Sequence, residues 1–407
     1  MRPASALEVW YEPVEGRRSK VGRLASVEHE ILFEYSSEML TSGLELSPFR
    51  LRLQRGVIVG DPNVFEGLMG LFADSLPDGW GRMLLDRKLA SAGLSPSSLG
   101  PVDRLAYVGG RGMGALVYEP ELGLEVPTIV NLAEVARDTE RVLANAKGPD
   151  LDRLIALGGS PHGARPKALV LVGPNDEVVF GAGRHRPGYR FLLVKFRARS
   201  DDRHAGVLEY AYSLMARAAG IRMPPTRMIG RTRSHPGYFA AERFDRLESR
   251  RHHVHTLCGL LHVSHRVPSL TYLDLLRVTR KLTRSEAQVS EMFRRACFNV
   301  FAHNRDDHGK NFAFMMDATG QWCASPAYDL SHSDGPGGEH AMAVGSAGRS
   351  PTESDLRDLA KSSEVRGAGE ILDRVRNTVG RFREFAEEAG VPRRVAARVS
   401  KTLSSVE

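Results

Sequence analysis

A short, crowded polar segment set between two apolar runs limits this chain more than any other feature. The stretch FAHNRDDHGKNFAF (301–314) gathers Arg305, Asp306, Asp307, His308, Lys310 and Asn311, and PAYDL follows at 326–330. Asp306 precedes Asn311 by five residues, and Asp329 lies eighteen further on. A loop that merely ends a helix needs one capping residue, so a cluster of this density calls for chemistry. Magnesium prefers oxygen ligands in octahedral geometry and takes one or two of them from protein, leaving the rest to phosphate and water. Asn311 and Asp329 supply two such oxygens, and Asp306 supplies a carboxylate able to accept a proton.

Composition bounds the rest. A chain of 407 residues supports a large core in two or three subdomains. Hydrophobic content of 42% and charged content of 26% are ordinary for a globular protein. A net charge of +7 and a pI near 9.4 permit contact with nucleic acid or an acidic partner without requiring either. The cysteines Cys258, Cys297 and Cys323 form no C-x-x-C, which suits a reducing cytosol and offers no zinc site. His252, His253, His255, His262 and His265 match no metal-binding spacing either. No apolar run approaches the roughly 20 residues needed to span a bilayer, so a soluble cytoplasmic protein without membrane contact is expected.

Along the chain, LEVWYE, KVGRLASV and HEILFEYS read as strands of a small antiparallel sheet. From Phe65 to Gly93 the spacing predicts two helices joined at Pro77, and VDRLAYVGGRGMGALVYEP reads as helix, glycine-rich turn and strand. A linker and helix over 121–150 close a subdomain. GGSPHGARPKALVLVG and VVFGAG read as a turn flanked by strand-like runs, YRFLLVKFRA as a strand, and VLEYAYSLMARAAGI as a helix. GYFAAERFDR reads as strand then turn. From about 253 onward the pattern is mainly helical, with TYLDLLRVTRKL and SEMFRRACFNVFAH amphipathic and one or two helices from RVRNTVGRFREFAEEAGV to the end. The glycine-rich SDGPGGEHAMAVG reads as a mobile loop near phosphates or substrate.

The catalytic loop of protein kinases reads H-R-D-x-x-x-x-N, and a later D-F-G holds metal against the nucleotide. Asn304, Arg305, Asp306 and Asn311 occupy the first pattern here, and Asp329, Leu330 and Ser331 the second. Asp307 competes as the base, but the five-residue separation favours Asp306. Lys195 interrupts an apolar strand, where a buried cation needs an anionic partner such as a phosphate. Glu209, on the next helix, is the candidate to pair with it; the plainer alternative is an edge lysine reaching water and an exposed glutamate. The loop Gly158–Lys167 suits a phosphate cradle of backbone N–H groups or an ordinary basic turn, and it is neither a P-loop nor a dinucleotide fingerprint. Ser160 lacks a G-x-S-x-G setting, which argues against a hydrolase.

Taken in order, GGSPHGARPK, FLLVKF, ERFDR, DDHGKNF and AYDLS resemble the HipA family of serine/threonine kinases, the toxin halves of type II toxin–antitoxin modules, and the resemblance spans nearly the whole chain. It implies an α+β, protein-kinase-like two-lobed fold with a small β-rich N-terminal subdomain over 1–120, a small-lobe region over 150–250 and a mainly helical C-terminal lobe over 251–407. It implies ATP and Mg2+ as cofactors, Asp306 as catalytic base, and Asn311 and Asp329 as metal ligands. Lys195 would contact phosphate, and His162, Gly163, Ala164, Arg165, Pro166 and Lys167 would form the phosphate loop. Glu242, Arg243 and Phe244 would be the hinge at adenine, with Asp245 near the ribose. His308, Gly309, Lys310, Asn311, Tyr328 and Asp329 would complete the nucleotide site. Ser160 resembles the serine that members autophosphorylate, where added negative charge would expel the loop and inactivate the enzyme. Family members act on aminoacyl-tRNA synthetases and are held by a HipB-like helix-turn-helix antitoxin that binds operator DNA. Pro161, His162, Arg165 and Pro166 depart from the best-known branch, which leaves the target open. A small-molecule kinase and a DNA-binding regulator with a vestigial site are the alternatives.

Overall fold

The computed structural model describes residues 6–404 except 94, 123–128, 147, 159–162, 164, 182–183, 200, 234 and 346. The chain divides into two compact units. The first comprises Met1–Asp201, Ala240–Ser264 and Met315–Gly320, and the second Asp202–Phe239, His265–Phe314 and Gln321–Glu407.

The first unit carries the sheet read from the N-terminal sequence. Strand β1 (Ala6–Val14) buries Leu7, Val9 and Tyr11 in strict alternation, the period of a half-buried strand. Strands β2 (Arg17–Val27), β3 (Glu30–Tyr35) and β4 (Val57–Val59) follow as antiparallel neighbours. The other edge of β1 takes β5 (Leu116–Glu119) and the short strand Arg250–Arg251, so a piece of chain beyond residue 240 completes the N-terminal sheet. A second sheet contains β6 (Lys167–Val172) between β7 (Val178–Phe180) and β8 (Arg190–Lys195). All six residues of β6 are buried, which explains its nearly continuous apolar reading.

Two expectations in this unit need correction. The glycine-rich loop is preceded by the helix Leu151–Gly158, not by a strand. Its apolar run LIALG is too short for periodicity to separate the two structures. Gly158 ends that helix where a Cβ would sit 2.2 Å from Lys167 O and 2.9 Å from Trp80 Nε1, so the close approach to β6 demands glycine. Around Pro77 there are two helices as read, but Gly70–Ala73 is a single turn and Gly79–Ser91 holds most of the length.

The second unit is mainly helical. Helix Glu286–Phe301 is its core, with Phe293, Ala296, Cys297 and Phe298 fully buried and helices Tyr272–Thr283 and Ala368–Gly380 packed against it. Thr271 and Asp274 form a reciprocal capping box that starts Tyr272–Thr283. The terminal stretch holds three helices rather than one or two: Ala368–Gly380, Phe382–Ala389 and Arg393–Leu403. Gly390, in the left-handed region at φ +84°, makes the last break. Among the described residues no helix is long and apolar enough to cross a membrane.

Candidate active site

The crowded loop of the second unit is built by the helix ahead of it. After Phe301 the backbone turns through His303 at φ +50°. It then runs beside the segment that follows Asp329: Ser333 N donates to His303 O at 3.0 Å and Arg305 N to Ser333 O at 3.1 Å. The same helix also fixes the chain ahead of Asp329. Arg295, only 1% exposed, pairs with Glu291 at 2.9 Å and donates to Ser325 O at 2.7 Å. One helix thereby places both Asp306 and Asp329, and its i,i+4 Glu291–Arg295 pair was visible in the sequence though its role was not.

The two adjacent aspartates diverge completely. Asp307 is fully buried and accepts from Tyr272 OH at 2.5 Å, His340 Nδ1 at 2.8 Å and Ala341 N at 2.7 Å. Burial, and then the Asp307 carboxylate, push the Tyr272 phenol well above its ordinary pKa, so it remains a donor. Asn299 donates to Tyr272 OH at 3.0 Å and accepts from Asn304 at 2.9 Å, which extends the network to the loop's first polar residue. Asp306 instead holds its side chain 56% exposed, with Oδ1 3.6 Å from His308 Nε2. That separation is too long for a hydrogen bond and leaves the carboxylate open to an incoming hydroxyl.

Asn311 Nδ2 donates to Asp306 O at 2.6 Å, which leaves its amide oxygen for a cation. Tyr328 OH donates to Lys310 O at 2.6 Å and so ties the neighbour of Asp329 to the neighbour of Asn311. An amide oxygen and a carboxylate are hard donors of the kind Mg2+ selects, and this donor set fits the ion. His308 Nδ1 is buried with no hydrogen-bond partner, and Gly309 and Lys310 are buried in the turn that carries Asn311. The segment 333–345, expected to be a mobile loop, is anchored into this loop instead: Arg305 Nη1 donates to Gly338 O at 2.7 Å, and His340 is buried against Asp307. Its glycines supply tight turns, with Gly335 and Gly338 at positive φ.

In the first unit, antiparallel pairing sets Lys167 of β6 directly opposite Lys195 of β8. Directly opposite residues share one face of a sheet, so both lysine side chains leave the backbone on the same face. Pro166 O accepts from Phe196 N at 2.8 Å and extends this pairing. Gly163 N donates to Asp78 at 3.2 Å, and Arg165 pairs with Asp201 at 3.3 Å. Ser160, His162 and Ala164 lie outside the described residues. Glu209 is buried, 5% exposed, on helix Ala205–Ala218 of the second unit, so it is not the exposed glutamate of the plainer alternative. Lys195 belongs to the first unit.

The residues read as a hinge and ribose neighbour make bonds within the protein. Glu242 is half-buried and pairs with Arg190 at 2.6 Å, and Arg243 N is already donated to Phe191 O at 2.9 Å. Asp245 is fully buried. It accepts from Arg243 Nε at 2.9 Å and Nη2 at 2.7 Å, from Arg246 Nη1 at 2.7 Å and from Gly114 N at 2.9 Å. Burial alone would raise its pKa, but the Arg243 and Arg246 charges and these hydrogen bonds hold it well below the usual carboxylate range. With both oxygens occupied by protein donors, Asp245 is a structural anion rather than a ribose ligand.

Three histidines of the histidine-rich stretch bond neighbouring protein atoms. His253 Nε2 and His255 Nε2 bond Leu46 O and Ser47 Oγ, and His262 accepts from Gly70 N. Among the described residues the one group of His, Cys, Asp or Glu close enough to hold a metal is His303, His332 and Asp334.

Comparison with known proteins places this arrangement. Residues 159–406 match the HipA-like C-terminal domain and residues 7–119 the HipA N-terminal domain. The chain belongs to the HipA family. It is 27% identical over 226 residues to a putative kinase, Y4dM, of Sinorhizobium fredii, a match covering 50% of this chain and 54% of that protein. The chain thus spans about half the length of this curated relative. Among solved structures it is similar to Shewanella oneidensis MR-1 HipA, determined in a toxin–antitoxin complex with HipB and its operator DNA. That match has a TM-score of 0.69 at 19% identity and covers 98% of this chain and 95% of that one. The fold is α+β and protein-kinase-like, as the sequence led one to expect.

Proposed function

We propose that the chain is an ATP-dependent serine/threonine protein kinase acting as the toxin of a toxin–antitoxin module. The observation that carries this reading is the split between adjacent carboxylates: Asp307 is locked inside while Asp306 faces solvent on a loop whose carbonyl positions Asn311. Asp306 accepts the proton of the substrate hydroxyl as its oxygen attacks the γ-phosphorus, and the β–γ bridging oxygen leaves with the electron pair. Lys167, Lys195 and the Gly163–Lys167 loop hold phosphate oxygens, and backbone groups of Glu242 and Phe244 meet adenine. Asn311 and Asp329 would hold Mg2+, which neutralises phosphate charge when bound. An aminoacyl-tRNA synthetase is the proposed target and Ser160 the site of inactivating autophosphorylation. A HipB-like helix-turn-helix protein is the proposed partner, with operator DNA reached through it; the Shewanella HipA was determined together with HipB and its operator DNA. The protein works in the cytoplasm on this reading.

The test is γ-labelled ATP with purified synthetases and, separately, with the chain alone. Wild type should label a synthetase serine or threonine and its own Ser160, and Ser160→Ala should abolish only the second. Labelling that survives intact in Asp306→Asn overturns the reading.

A further inference from the structure

We propose that His303, His332 and Asp334 form a binding site for a divalent transition metal of the zinc class, separate from the Asn311 and Asp329 magnesium ligands. Ligand atoms from all three side chains lie within 4.8 Å of one another. The backbone brings them together: Asn304 and Ser333 form a parallel bridge. In such an extended pairing, residues two apart project to the same side, so His332 and Asp334 share a side while Ser333 points away. His303 meets them from the facing strand, its ring stacked on His332 at 5.1 Å and 24°, and its Nε2 3.1 Å from Asp334 Oδ1.

One observation points beyond a plain His–Asp hydrogen bond. His332 Nε2 is buried with no hydrogen-bond partner, an unfavourable state for an imidazole nitrogen that a metal would relieve. Two imidazole nitrogens with one carboxylate make a borderline donor set, which favours Zn2+, Co2+ or Ni2+ over Mg2+ and Ca2+. Water would fill the remaining position. Arg305 and Arg398 act on His332 against a cation, and Asp334 is the anion that offsets them. A bound ion would clamp the chain just ahead of Asp306 to the chain just after Asp329 and stiffen the loop.

The experiment uses the full chain without a histidine tag, stripped by chelator and kept in excess Mg2+ so that the hard-ion ligands are occupied. Co2+ is titrated while its visible d–d absorption is followed, then displaced with Zn2+. One equivalent of Co2+ should give a band that Zn2+ removes, and Zn2+ should raise the melting temperature. His332→Phe should abolish the band, and Asp334→Asn, altering a side chain 81% exposed and harmless to folding, should weaken binding by roughly tenfold or more. Absence of a stoichiometric band in wild type, or a band unchanged in both variants, overturns the site. None of these readouts depends on phosphoryl transfer.

Discussion

In the first unit a buried carboxylate, Asp245, is neutralised by the guanidinium groups of Arg243 and Arg246, whereas in the second unit the buried Asp307 is satisfied by a phenol, an imidazole and a backbone N–H. Both are wholly inaccessible, and neither touches solvent chemistry. The difference lies in what stands next to them. The residues adjoining Asp245 are themselves drawn into its cluster, and Arg246 and Arg251 also donate to Gly114 O. Asp307 leaves its neighbour Asp306 exposed. Of these two buried anions, one closes a charged cluster on itself and the other anchors a loop on which the adjacent carboxylate stays exposed.

The sharpest way to break that contrast is Asp306→Asn. Removing the exposed carboxylate should lower kcat by about 10²- to 10⁴-fold, with ATP affinity and thermal stability nearly unchanged. Asp245→Asn should do the converse. It strands buried Arg243 and Arg246, costs about 3–5 kcal/mol of stability in urea unfolding, and leaves kcat of the folded fraction intact. If Asp245→Asn raised KM for ATP specifically while stability held, its assignment as a structural anion would fall. Asp307→Asn should sit between them, losing about 1–3 kcal/mol because Tyr272 and His340 lose an ionised acceptor. Its activity should fall only as far as the Asp306 loop loosens.

Much of the fold was legible because its elements obey one period each. The alternation in β1 and the helical spacing in Glu286–Phe301 need no tertiary information. The spacing Asp306, Asn311, Asp329 likewise exposed the candidate site. Register was hidden: that Lys167 stands directly opposite Lys195 follows only from how β6 and β8 pair. So was burial of individual charges. Asp245 reads as a loop carboxylate until its two arginines are seen folded onto it, and SDGPGGEHAMAVG reads as mobile until His340 is found bonded to Asp307. His303, His332 and Asp334 are separated in sequence and brought together by a single backbone bridge.

The smallest effect separates the two units by pH. His253 of the first unit is buried, and burial first, then the neighbouring His255, lower its pKa from 6.5 to about 3. A histidine whose folded pKa is depressed binds its proton in the unfolded chain first. Its contribution to stability is therefore full above about pH 6.5 and is lost progressively as pH falls toward 3. Asp245 has the same sign but a lower window, since its folded pKa lies below the unfolded carboxylate range and its loss begins only under about pH 4. Between about pH 7 and 5.5 the difference in urea stability between wild type and His253→Gln should therefore shrink by about 1 kcal/mol, because the other titrating histidines cancel in that difference. Glutamine keeps a donor for Leu46 O, so the variant removes the titration while retaining the bond. An unchanged difference across that range would mean that acid does not act on the first unit through His253.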